Sequence, residues 1–199
     1  MDKVIDYYFT PASPYAYLGH ARFVALAARR GARINVYPID LGKVFAVSGG
    51  VPLAKRAPQR LAYRLVELRR WSRFLDVPIN VPPKFGGTPV DLASRWILAA
   101  AQTGERPALD LAGAVMRARW AEERDIADPG TLAAIATDLH LDARALGARA
   151  ETPALAARFE ATTEQAIAAQ VFGSPWYVYA GEPFWGQDRL DFLDRALAQ

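Results

Sequence analysis

The chain has 199 residues, 52% of them apolar, and carries 24 Lys and Arg against 21 Asp and Glu. That is enough apolar sequence for one substantial core, or one core extended by an inserted lobe, and a net charge of +3 is too small to indicate nucleic acid. No stretch approaches the roughly 20 apolar residues that span a bilayer, and the start lacks a basic and then apolar leader. With no Cys and only His20 and His140, ligands for a dedicated transition-metal site are too few, so the expectation is a cytoplasmic globular protein with no metal and no membrane partner.

Val4 to Phe9 is rich in β-branched and aromatic residues and reads as a buried strand. Ser13 as N-cap and Pro14 at the first helical position open a helix whose apolar face includes Tyr17, Leu18, Ala21 and Val24, and Gly31 ends it. Ile34 to Ile39 is a second strand, parallel to the first across a right-handed crossover. From Leu41 onward the texture is helical. Helices are predicted at Ala57 to Leu75, Asp91 to Ala101, Ala108 to Glu123, Pro129 to Leu139 and Pro153 to Ala169, with Asp128-Pro129 and Thr152-Pro153 as start signals. Trp176 to Tyr179 and Pro183 to Trp185 form a hairpin across Ala180-Gly181-Glu182, and Gln187 to Leu197 closes as a helix.

This order is that of an α/β protein with a thioredoxin-like fold and a large all-helical insertion. The expected division is a discontinuous thioredoxin-like domain, 1–40 and 170–199, around a helical insertion domain, 41–169. In such a fold the turns at Ser13-Pro14 and Ser174-Pro175 face each other. A redox enzyme of this shape needs cysteines, and this chain has none, so any sulfur chemistry needs a sulfur brought by a ligand.

Ser13 carries two readings. It caps its helix, or its hydroxyl donates to an anion at the positive helix end, where a bound thiol ionises more easily. No Ser-His-Asp triad is evident, and His20 reads as a packing residue. A cis Ser174-Pro175 bond would fit a proline opening a strand, and the Ser174 backbone groups are then available to an extended peptide; Trp176 reads as core filler. Gln187 and Asp188 either cap the last helix or receive amino and carboxylate groups at its start. The basic run from Lys55 through Arg60 and Arg64 to Arg73 is a solvated helix face, or at its N-terminal end a clamp for carboxylates.

Together Tyr8-Phe9 with Ser13-Pro14-Tyr15-Ala16-Tyr17-Leu18, the Arg64 to Trp71 segment, Val171-Phe172-Gly173-Ser174-Pro175 and Phe184-Trp185-Gly186-Gln187-Asp188-Arg189-Leu190 resemble the 2-hydroxychromene-2-carboxylate isomerase family, which is similar to kappa-class glutathione transferases. The resemblance covers the whole chain. It implies glutathione as cofactor, a small aromatic carboxylate as substrate, a homodimer, and Ser13 as the catalytic residue holding the glutathione thiol. It further implies cofactor contacts from Ser13, Arg60, Ser174, Pro175, Gln187 and Asp188, the last two at the γ-glutamyl end. The implied reaction interconverts 2-hydroxychromene-2-carboxylate, or a related aromatic α-keto acid, with a trans-o-hydroxybenzylidenepyruvate type product. Conjugation of glutathione to an electrophile and glutathione binding without turnover are the alternatives. Thr10, Gly50, Arg60, Ser174 and Trp176 depart from the family pattern, in which an acid, an asparagine, a lysine and smaller or apolar neighbours of the proline are common.

Overall fold

A computed structural model describes residues 2–199. Four strands form one sheet in the order β2-β1-β3-β4. The central strand β1 (Val4–Phe9) runs parallel to β2 (Arg33–Pro38) and antiparallel to β3 (Trp176–Tyr179), which turns back into β4 (Glu182–Trp185). The second strand begins and ends one residue earlier than its apolar pattern predicts. Ile39 lies just beyond it but still donates its N–H to the Phe9 carbonyl at 2.8 Å.

Side chains of β1 alternate between two packed faces. Ile5, Tyr7 and Phe9 join the main buried cluster, whereas Tyr8 packs on the opposite side with Ile39, Val44, Val171 and Trp176. The Tyr7 ring stacks on Phe9 at 4.4 Å and on Tyr177 of β3 at 5.4 Å, which fixes the β1–β3 register through large buried aromatics.

Helix α1 (Pro14–Arg30) starts at the predicted cap. Gly31 ends it at φ 63°, a left-handed turn that glycine adopts without Cβ strain. Between β2 and β3 lie α2 (Leu41–Ser48), α3 (Pro58–Leu75), α4 (Asp91–Ala101), α5 (Glu105–Trp120), α6 (Pro129–Asp138), α7 (Ala143–Ala150) and α8 (Pro153–Ala168). Helix α2 ends at Ser48, with Gly49 at φ 75° as its left-handed cap. The expected closing helix is split: Gln187–Arg189 is a 3-10 turn, and α9 (Leu190–Leu197) follows it.

The helical block is stitched to the sheet. The main buried cluster runs without a break from Tyr7 and Tyr177 to Trp96, Leu111, Leu132 and Leu146 of the inserted helices. Thr162 of α8 donates its hydroxyl to the Pro38 carbonyl at 2.8 Å, and Thr163 accepts the Asp40 N–H at 3.0 Å. Among the described residues, no helix is long and apolar enough to cross a membrane, and no group of three or more His, Cys, Asp or Glu is placed to hold a metal.

Candidate active site

The N-terminus of α1 and the turn before β3 meet at the predicted place. Ser13 is buried, with an extended backbone suited to a cap, and its Oγ accepts the Ala16 N–H at 3.1 Å. The same hydroxyl donates its proton to the Ser174 carbonyl at 2.9 Å. In return the Ser174 Oγ accepts the Thr10 N–H at 3.0 Å, so two serines 161 residues apart clasp the two turns from both sides. The Ser174–Pro175 bond is cis, and the Pro175 carbonyl accepts the Gly186 N–H at 3.0 Å.

The Ser174 carbonyl is therefore occupied by Ser13, which differs from the free edge expected from sequence. Its N–H, by contrast, has no partner among the described residues. The first turn of α1 holds no acidic residue, so no side-chain carboxylate there offsets the positive end of the helix. A further tie comes from the insertion, where the Trp120 indole N–H donates to the Pro11 carbonyl at 3.3 Å.

Gln187 lies deeper than a ligand-facing amide. It is buried, its Oε1 accepts from Arg22 at 3.0 Å, and it packs so closely on Gly19 that a Cβ there would sit 2.5 Å from the Gln187 Cβ. Asp188 is exposed and pairs with Arg189 at 2.8 Å, yet its charge reaches the Tyr15 phenol. Arg60 is exposed in the first turn of α3 and makes no ion pair among the described residues. The α3 arginine whose charge reaches the start of α1 is Arg64, one turn further on.

Tyr15 and Arg64 are the residues near the candidate site that sequence reasoning did not single out. Tyr15 was visible as part of the motif after Ser13, and Arg64 lies four residues, about one helical turn, beyond Arg60. Burial raises the Tyr15 phenol above its ordinary pKa, against the nearby Arg64 charge, so it remains a hydrogen-bond donor at neutral pH. Burial also lowers Arg64, with the Arg56 charge adding to the effect.

His20 takes no part in nucleophile activation. Its Nε2 donates to the Leu109 carbonyl at 2.9 Å, leaving Nδ1 to accept from the Tyr7 hydroxyl at 3.4 Å. Desolvation lowers its pKa to about 4, so the ring is neutral where Ser13 would work.

The family model of the DSBA-like thioredoxin domain matches residues 4–198. A 2-hydroxychromene-2-carboxylate isomerase from Sphingobium xenophagum is 32% identical over 199 residues, covering 99% of both chains. Glutathione S-transferase kappa 1 of Caenorhabditis elegans is 37% identical over 82 residues, 41% of this chain and 36% of that one. A solved 2-hydroxychromene-2-carboxylate isomerase structure superposes with a TM-score of 0.81 at 28% identity, covering 98% of this chain and 94% of the other. The domain match over nearly the whole chain, the full-length identity and the shared fold agree: this chain is a member of the 2-hydroxychromene-2-carboxylate isomerase family, an isomerase built on a DSBA-like thioredoxin domain.

Proposed function

We propose that the protein uses glutathione to isomerise 2-hydroxychromene-2-carboxylate, or a related aromatic α-keto acid, to a trans-o-hydroxybenzylidenepyruvate type product. The observation that carries this reading is the buried Ser13 hydroxyl at the positive end of α1, clasped to Ser174 in a chain with no cysteine. The names of the full-length relatives support the reaction, and the partial kappa-class similarity supports the cofactor.

Glutathione lies along the Ser174 edge. As its thiolate arrives, the Ser13 O–H turns from the Ser174 carbonyl to the sulfur, freeing that carbonyl to accept from the tripeptide while the Ser174 N–H donates. The helix end and the hydroxyl both favour the charged sulfur over the thiol. Gln187 lies beside Gly19, about 9 Å along the α1 axis from Ser13. The glutathione sulfur is on its middle residue, so only the γ-glutamyl arm reaches from Ser13 toward this turn, where the exposed Asp188 receives its amino end and the buried Gln187 holds the turn in position. Arg60 adds positive charge on the α3 side, and Pro175 shapes the edge.

Bound glutathione would supply a thiolate that adds to, and later leaves from, the conjugated double bond of the ring-opened α-keto acid, making that bond single long enough to rotate with no net oxidation and no loss of glutathione. Ser13 and the N-terminal end of α1 would keep the sulfur charged, and the Ser174 backbone would hold the tripeptide in place. We place this activity in the cytoplasm, in a homodimer whose second copy covers the exposed Tyr63, Val66 and Phe74 of α3.

Incubation with glutathione and 2-hydroxychromene-2-carboxylate, followed by chromatography of both, tests the reaction. Interconversion of the two isomers with undiminished glutathione is the expected result. Conjugation, which the kappa-class similarity favours as the second reading, would instead yield a stable adduct and an equal loss of glutathione. Binding without either change would reduce the protein to a glutathione-binding module.

A further inference from the structure

The arginines that are buried or half-buried are almost all accounted for. Arg22 donates to Gln187, Arg30 to Asp194, Arg56 to the Val51 carbonyl, Arg95 to the Ala150 carbonyl, Arg119 to Thr88 and Arg124 to the Thr131 carbonyl. Arg64, also half-buried, is the exception. It has neither a hydrogen bond nor an ion pair among the described residues. A guanidinium that has lost part of its hydration without gaining a partner destabilises the fold unless something else repays it.

Nearby acids do not supply that partner. Glu67, three residues on along α3, is taken by Arg70, and Asp188 is taken by Arg189. Helix α3 packs on α1, and across that contact the Arg64 and Arg56 charges act on the Tyr15 phenol, two residues past Ser13. A planar five-donor fork, a phenol O–H able to donate and a second positive charge make a donor-rich surface, and a carboxylate is the ligand that satisfies it.

We propose that Arg64 and Tyr15 form a carboxylate-binding site beside the Ser13 thiol site, filled during turnover by the carboxylate of the aromatic acceptor or by one of glutathione. The identity of these two ligands rests on the isomerase reading above; the carboxylate site itself does not. If the acceptor fills it, the fork holds the α-keto acid end and turns the conjugated carbon toward the sulfur. If glutathione fills it, the fork orients the cofactor instead.

The test uses the full chain and Arg64→Met, Arg64→Lys and Tyr15→Phe. Calorimetry measures 2-hydroxycinnamate, a stable aromatic carboxylate, its neutral amide, and glutathione, each binding separately. With the acceptor as source, Arg64→Met weakens the acid about 10–100-fold, leaves the amide and glutathione unchanged, and Arg64→Lys recovers part of the loss. Tyr15→Phe costs several-fold on the acid alone. With glutathione as source, Arg64→Met weakens glutathione by a similar factor and leaves 2-hydroxycinnamate unaffected. The melting temperature of Arg64→Met should equal or exceed that of the parent, because no partner is orphaned. Unchanged affinity for both carboxylates, equal losses for acid and amide, no carboxylate binding by the parent, or a large fall in melting temperature would each overturn the proposal. Failure of isomerisation with the carboxylate preference intact would sink the isomerase reading and leave this site standing.

Discussion

The Ser13 hydroxyl has a single proton, and in the free protein that proton belongs to the Ser174 carbonyl. Ser13→Ala removes the donor while leaving the helix end in place. Bound glutathione should then titrate at higher pH by its thiolate absorbance, and turnover at saturating cofactor should fall about 10–1000-fold. Ser13→Thr keeps a hydroxyl and should lose less. His20 sets a different dependence on pH. Its folded pKa of about 4 lies below the unfolded value near 6.5 because burial desolvates the charged ring, with the Leu109 carbonyl and then Asp110 opposing the shift. The unfolded chain therefore binds more protons between those values, and stability present above pH 6.5 declines as pH falls toward 4, by about 3 kcal/mol at most. Urea titrations across that window should show the decline, and His20→Gln should flatten it.

At the scale of elements, α1 and the 3-10 turn at Gln187–Arg189 approach so closely that Gly19 has no room for a methyl. Gly19→Ala should lower stability by about 1–3 kcal/mol through overpacking and weaken glutathione binding by shifting Gln187, both measurable on one purified variant. Sequence pattern marked the four strands and most helices because their caps and apolar periods are local. Asp128 and Thr152 cap α6 and α8 as their Pro-containing starts imply. Helix α7 escaped notice because it has only eight residues, although Asp142 caps it through the Ala145 N–H at 2.9 Å. Helix α5 begins at Glu105, three residues before its predicted start, because Pro107 is tolerated within a first turn. The apposition of Ser13 and Ser174 was legible as two turns. The direction of their hydrogen bond was not, and neither was the choice of Arg64 over Arg60 beside Tyr15, since two arginines one turn apart share a face until packing fixes where α3 lies.

Across the whole molecule, one buried cluster joins the sheet to the inserted helices, and Trp120 reaches from the insertion to the loop beside Ser13. We therefore take 1–40 with 170–199 and 41–169 as topological units that share a core. Urea unfolding followed by far-ultraviolet circular dichroism and by tryptophan fluorescence should give coincident single transitions. Two separated transitions would instead mean units that fold alone. The lack of cysteine has a consequence for durability. An enzyme whose nucleophile is part of its chain dies when a reactive electrophile captures that atom irreversibly. Under the proposed function the sulfur is a visitor, and an alkylated one can leave and be replaced. Treatment with iodoacetamide and glutathione together should stop turnover; gel filtration and fresh glutathione should then restore the full rate, with no mass added at Met116, the one sulfur of the described residues, which is buried.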